Sequence, residues 1–390
     1  MANVEVRRSS DNGQIFGANR CVVRSNGNKV YVFLTQDISG TIGIKADRGN
    51  VAGEPSSFLG NNLNETGMLN VGCAAAKGSD DIAHIAFYRN DTSHGGIVGI
   101  RYVPYNMATN TFGTVETVAT ITVDDPQVFA ISICVDDDNE PHVTWRDNVK
   151  SMGVTTFFNY YSNRISGVTS GVWDKTKVEM TNDNTDSLRM NDVLIGIPTD
   201  AVGADRPILM IGQKNGDIAA YHGNALDATA FTVNINIASV ESIEVLGIMS
   251  MIIDSDNRIV IAWEQIISGE LMIIEHLPGN AWGNWETEIE VDNSVDYVHP
   301  SIATNDGPNL YVFVEDDTNS DINMWKDEGS GFSEETADAD LPNVGTFDDV
   351  KAKWASKNIV TPTQIDYVFQ DSAGAIQYNT VTVPAFVPRP

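Results

Sequence analysis

At 390 residues, 42% of them hydrophobic, the chain is long enough for one large all-β domain or for two to three ordinary ones. The longest nearly apolar run, 245–253, falls far short of the roughly 20 residues a bilayer span needs, so no membrane insertion is expected. A net charge of −29, from 53 acidic against 24 basic residues, repels polyanions, and no Lys/Arg cluster beyond Arg7-Arg8 offsets that field, which excludes nucleic acid as a partner.

Taken in chain order, the first signal is residues 4–8, which alternate apolar and polar side chains as a strand does. One pattern then recurs seven times: a polar turn, an apolar β-type run, an acidic or amide-rich turn, and a second β-type run. The first runs cover 31–37, 84–90, 142–147, 208–213, 260–265, 311–316 and 366–371. Their last large apolar residues, Leu34, Phe87, Trp145, Ile211, Trp263, Val314 and Phe369, recur at intervals of 51 to 66 residues. Each unit carries four strand signals. In the fifth, strands are predicted at 243–253, from the turn 254–257 to 264, at 270–276, and up to Val291. No amphipathic helix of useful length interrupts them.

Four short strands per unit, repeated seven times, predict an all-β, seven-bladed β-propeller of four-stranded antiparallel blades. The blades are expected near 14–62, 63–118, 119–182, 183–236, 237–292, 293–342 and 343–390, within a single domain. An aromatic residue marks the outer strand of six units, at Phe58, Phe112, Trp173, Phe231, Trp285 and Phe332. The seventh unit ends too soon for an outer strand, so the N-terminal strand at 3–9 is expected to supply it and close the ring. Cys21, Cys73 and Cys134 lie in apolar runs without a C-x-x-C, which predicts buried free thiols.

Two phrases carry a family resemblance: Ile133-Cys-Val-Asp-Asp-Asp-Asn-Glu-Pro-His-Val-Thr-Trp145 and Ile252-Ile-Asp-Ser-Asp-Asn-Arg-Ile-Val-Ile-Ala-Trp263. They resemble the acidic turn, apolar strand and tryptophan of the sialidase-like, BNR-type propeller superfamily. The likeness runs along nearly the whole chain and marks architecture. The family's Asp-box is matched only by Ser9-Ser-Asp-Asn-Gly-Gln-Ile-Phe16, which lies outside its usual turn and is read as an ordinary turn.

In a propeller, the connections between second and third strands, and between one blade and the next, share the face that usually binds ligands. Candidates on that face are Arg89, Asp91, Arg146, Asp147, Asp296, Tyr297 and His299, with Arg20 and Arg189 at the starts of inner strands. Asp37, Asp292 and Asp348 fall on the same face. Sialidase-like hydrolysis needs converging arginines, a Tyr–Glu pair and a separate acid, and no motif fixes that convergence. Tyr297 and His299 would share one strand face, an arrangement compatible with lyase chemistry. The acidic hairpin turns lack the ligand set of a calcium loop, the six histidines have no metal spacing, and neither metal nor cofactor is expected. His84 and His142 recur at equivalent positions, which points to packing with a tautomer fixed by a backbone carbonyl.

No catalytic phrase rises above the repeat. The primary expectation is therefore a non-catalytic binding or structural propeller, a virion adhesion or assembly component. Its partner would be a surface glycan or another structural protein, and a homo-oligomer or larger assembly is allowed. The alternative is a glycan-active enzyme, a sialidase-like hydrolase or polysaccharide lyase, using the same face. With no signal peptide in view, a virion or cytoplasmic location is expected, or an extracellular one if a leader has been removed.

Overall fold

The computed structural model describes residues 4–7, 13–14, 22–38, 41–64, 73–91, 97–122, 130–151, 154–164, 173–179, 194–198, 209–214, 217–223, 230–238, 249–254, 256–265, 269–293, 297–304, 309–316, 321–327, 331–334, 348–352, 364–370 and 375–383. All regular structure there is β, arranged as seven small antiparallel sheets in a ring, the predicted seven-bladed propeller. Blade five shows the unit: Ser250–Ile253, Ile259–Gln265, Glu270–His276 and Ile289–Asp292, paired in that order. Blade seven takes its outer strand from the N-terminus. Val4–Arg7 pairs with Ile376–Thr382, Val4 lying opposite Tyr378.

Each blade is buried on both faces, so its second strand reads as an unbroken apolar run whose alternate residues serve different neighbours. In blade one, Val30, Val32 and Leu34 pack with Val368, Ile376 and Tyr378 of blade seven. The intervening Tyr31 and Phe33 pack with Ile85, Phe87 and Tyr105 of blade two. The same division continues through every neighbouring pair until blade six meets blade seven. The six outer aromatics cap these interfaces, each against the preceding blade. Trp285 does so from the loop before its strand, which starts only at Ile289. Cys73 and Cys134 are buried free thiols. Cys21 lies outside the described residues, as does most of the imperfect Asp-box, of which Gly13 and Gln14 pair with Gln36 and Thr35.

A buried charge cluster seals the junction of first and last blades. Arg24 donates from Nε to Asp366 Oδ2 at 2.7 Å and from a terminal nitrogen to Asp366 Oδ1. Tyr378 donates its hydroxyl to Asp366 Oδ1 at 2.8 Å, and the far side of the guanidinium reaches Asn28 Oδ1 at 2.7 Å. Asp366 is fully buried and Arg24 nearly so.

The recurring histidines are fixed by tyrosines and not by backbone carbonyls. His84 Nδ1 lies 2.8 Å from the Tyr102 hydroxyl, and His142 Nδ1 lies 2.8 Å from that of Tyr161. A strand-borne histidine beside a tyrosine on the neighbouring strand meets its hydroxyl before any free carbonyl, because the ladder already uses the carbonyls. Burial, with Arg164 adding its positive charge against a partial offset from Asp136, holds His84 down at about 3. The unfolded chain therefore takes up a proton on this residue below pH 6.5 that the native ring refuses. The stability it holds above that pH is lost as the pH falls toward the native value, by about 1.4 kcal/mol per unit. Asp136, held below its usual range, acts in the same sense, whereas Asp80 and Glu140, raised by burial, act against it. We expect His84→Phe to lose roughly 3 kcal/mol less than the parent between pH 6.5 and 4 in urea titrations. Parallel losses in the two proteins would refute the assignment.

Candidate active site between blades five and six

Six of the predicted residues lie in strands at the anticipated end of the ring. Arg89 and Asp91 close the second strand of blade two, opposite Gly99 and Ile97. Arg146 lies opposite Ala130, the first residue of blade three's inner strand, and Asp147 opposite Phe158. Tyr297 opens the inner strand of blade six opposite Asp316, and His299 follows where the register shifts. These six are distributed over three blades and are not gathered at one point of the backbone. Arg20, Arg189 and Asp296 lie outside the described residues.

Strand alternation assembles a different group. In blade five, Ile261 and Trp263 pack toward blade four, whereas Val260 and Ala262 pack toward blade six. One step further, Glu264 falls on the blade-six side, with 8% of its surface exposed. In blade six, Val312 and Val314 pack toward blade five, and alternation puts Asp316 on that side, 2% exposed. Both acids stand at the same ends of their strands, on the facing sides of blades five and six. Asn323 donates to Asp316 Oδ2 at 3.3 Å and orients it. Asp292, opposite Leu271 in the outer strand of blade five, lies on the Glu264 wall. Glu334, opposite Trp325 in the outer strand of blade six, lies on the Asp316 wall.

These carboxyls do not share one environment. Glu334 is exposed, yet the protein around it partly desolvates its carboxyl and pushes it up, and the negative charges of Asp292 and Asp316 push it further in the same direction. A carboxyl raised in this way is the member of the group suited to donate a proton. Glu270, Glu315 and Asp321 add negative charge at this end of blades five and six, where the described residues include no Lys or Arg. Among the described residues, no three His, Cys, Asp or Glu side chains are arranged to hold a metal ion.

Asp292 and Tyr297 were ligand-face candidates from sequence, whereas Glu264, Asp316 and Glu334 were not. In sequence Glu264 and Asp316 read as the acidic turn that follows each apolar run, and Glu334 as an outer-strand residue after Phe332. The signal that would have found Glu264 and Asp316 is the run itself: counting alternate residues from Ala262 and Val314 assigns the next acids to the shared wall.

The acidic turns at the opposite end are hairpin chemistry. Asp136 accepts backbone N–H bonds from Asp138 and Glu140 at 2.9 and 2.7 Å, and Asp254 does the same for Asp256 and Arg258 at 3.0 and 2.9 Å. Asn139 and Asn257 take the left-handed conformation that closes each turn, at φ of 64° and 68°.

No protein-family model matches the chain, and no curated protein matches it. Among solved structures, it is similar to an α-L-arabinanase of Penicillium chrysogenum in complex with arabinobiose, at 10% identity and a TM-score of 0.53, with 98% of each chain covered. An ulvan lyase, a polysaccharide lyase, aligns at 11% identity and a TM-score of 0.53 over 98% of this chain and 95% of its own. A microbial sialidase from the Hadza aligns at 9% identity and a TM-score of 0.51, over 99% of this chain and 69% of its own. The architecture-level likeness to sialidase-type propellers is thereby met.

The primary functional expectation is corrected. The lack of a catalytic phrase points to a non-catalytic virion component, yet these three structures, which align along nearly the whole chain, are glycan-active enzymes. A propeller draws its reacting groups from separate blades, so a missing linear motif carries no weight against catalysis. Among the described residues, no helix is long and apolar enough to cross a membrane.

Proposed function

We propose that the chain is a glycan-active enzyme, a glycoside hydrolase acting on a neutral glycan, with its reaction in the cleft between blades five and six. The observation that carries this reading is the carboxyl group set of Glu264, Asp292, Asp316 and Glu334, with Glu334 raised by desolvation and by the charges of its neighbours. Glu334 is assigned the general acid. It gives its proton to the glycosidic oxygen as the bond to the anomeric carbon breaks and the electron pair stays with that oxygen. Asp316, held by Asn323, is assigned the opposing carboxylate, which stabilises positive charge at the anomeric carbon and directs water or itself to it. Glu264 lies across the cleft as a second acceptor for sugar hydroxyls.

Charge supports a neutral substrate. A uronate or sialate would approach a chain of net charge −29 and enter a cleft whose described residues include no cation. The test is to incubate the purified chain with arabinan and other neutral polysaccharides, and in parallel with polyuronates. Reducing ends are expected from the neutral set, without unsaturated uronates from the acidic set. Products confined to uronate substrates would replace the hydrolase by a lyase, and no product from either would remove the enzymatic reading.

A further inference from the structure

We propose that the crevice between blades two and three, at the end of the ring opposite the carboxylate cleft, binds a hydroxyl oxygen through His84 Nε2, Arg164 Nε and Glu140 Oε2. These three side-chain atoms are buried and have no hydrogen-bond partner in the protein. Three such atoms in one crevice are not an accident of packing, because each unmet group costs free energy. The backbone places them together. Alternation puts His84 on the blade-three side of its strand, since Ala86 and Tyr102 pack there with Ile133, Val143 and Trp145. Glu140 belongs to the first hairpin turn of blade three, and Arg164 ends that blade's third strand.

Neighbouring atoms of His84 and Arg164 are occupied, which narrows what the three can take. Glu116 accepts from Arg164 at 3.0 Å and from Trp173 Nε1 at 3.0 Å, so the guanidinium is neutralised and held with Nε to spare. His84 uses Nδ1 on the Tyr102 hydroxyl. With Tyr102 donating in that bond, both its proton and the Nδ1 lone pair are used, and the imidazole proton resides on Nε2. The opposite tautomer would leave the phenol proton unmet as well. The crevice therefore offers two donors, from His84 and Arg164, and one acceptor, on Glu140. One hydroxyl group is their complement, accepting two hydrogen bonds and donating one.

The floor is closed and the mouth is open. His84 is 4% exposed, whereas the Arg164 side chain is 26% exposed and Glu140 half-buried. Trp173 leans on Tyr102 with ring centroids 5.1 Å apart and forms an aromatic wall beside the mouth. Two sources supply this chemistry, an ordered water and a hydroxyl of a sugar or polyol. Burial and Arg164 keep His84 neutral at ordinary pH, whereas burial raises Glu140.

The test is a pair of high-resolution crystal structures of the full chain, one prepared without any polyol and one soaked in a free aldopentose. An oxygen bonded to all three atoms is expected in both. A water in the first replaced by a sugar hydroxyl in the second establishes a glycan site. A water in both establishes a structural water. Tryptophan fluorescence with the same pentose gives a solution readout, and Glu140→Leu is expected to weaken the sugar-dependent change tenfold or more. A crevice in which no oxygen joins the three atoms, or in which they pair with protein groups, overturns the proposal, and that comparison needs no variant to fold.

Discussion

Replacing Glu334 by Gln is expected to lower kcat on a polysaccharide by about 10²- to 10⁴-fold, the usual contribution of a positioned general acid. The cause is the proton. Glu334 is raised by desolvation and by Asp292 and Asp316, and Gln keeps its shape while removing the group that would protonate the leaving oxygen. A substrate whose leaving group needs no proton, such as an activated aryl glycoside, should lose far less. The general acid is active when protonated, so the parent's kcat should fall as pH rises through the pKa of Glu334, and the variant should lack that limb. Glu334 is exposed, so thermal stability should not change. Equal losses on both substrates, or an unchanged pH profile, would remove Glu334 from the acid role. Asp316→Asn addresses the other half of the pair and should spare neither substrate.

Asp366→Ala is expected to cost about 3–5 kcal/mol, because it strands Arg24 inside the junction of first and last blades. Arg24 has its Nε and one terminal nitrogen on Asp366, and Tyr378 adds a third bond to the same carboxylate. Water does not reach Asp366 to compensate. The cost resides in the orphaned charge, not in the attraction lost. The double variant Arg24→Met with Asp366→Leu should therefore recover most of the stability, since a packed apolar pair commonly matches a buried ion pair. Denaturant midpoints and Tm for parent, single and double variants decide it. A single variant as stable as its parent would show that the seal is held by Val4, Val6 and their apolar neighbours alone.

Much of the architecture was legible because a blade buried on both faces has a simple signature. Val30–Leu34 and Val260–Trp263 carry no polar interruption, and each such run is followed by polar turn residues. The closing strand was legible from the alternation of Val4 and Val6, and the outer aromatics from their recurrence. The histidines were legible only in part. Their equivalence in consecutive repeats showed packing, but the partner of His84 is Tyr102, on a strand whose register was not readable. Arg89, Arg146 and Tyr297 could be assigned to one end of the ring, yet a common end is a weaker statement than a common cleft.

The sequence by itself determined an all-β ring of seven units closed by the N-terminal strand, because alternating burial is local and each repeat states it again. It also determined the sign of the surface, since net charge depends on composition. Only the tertiary structure decided that Glu264 and Asp316 lie on the facing sides of blades five and six, that desolvation with Asp292 and Asp316 raises Glu334, and that Arg164 comes near both His84 and Glu140. Those pairings depend on the face each strand end presents and on the blade stacked against it. Both follow from register and stacking between distant segments, which no local pattern encodes.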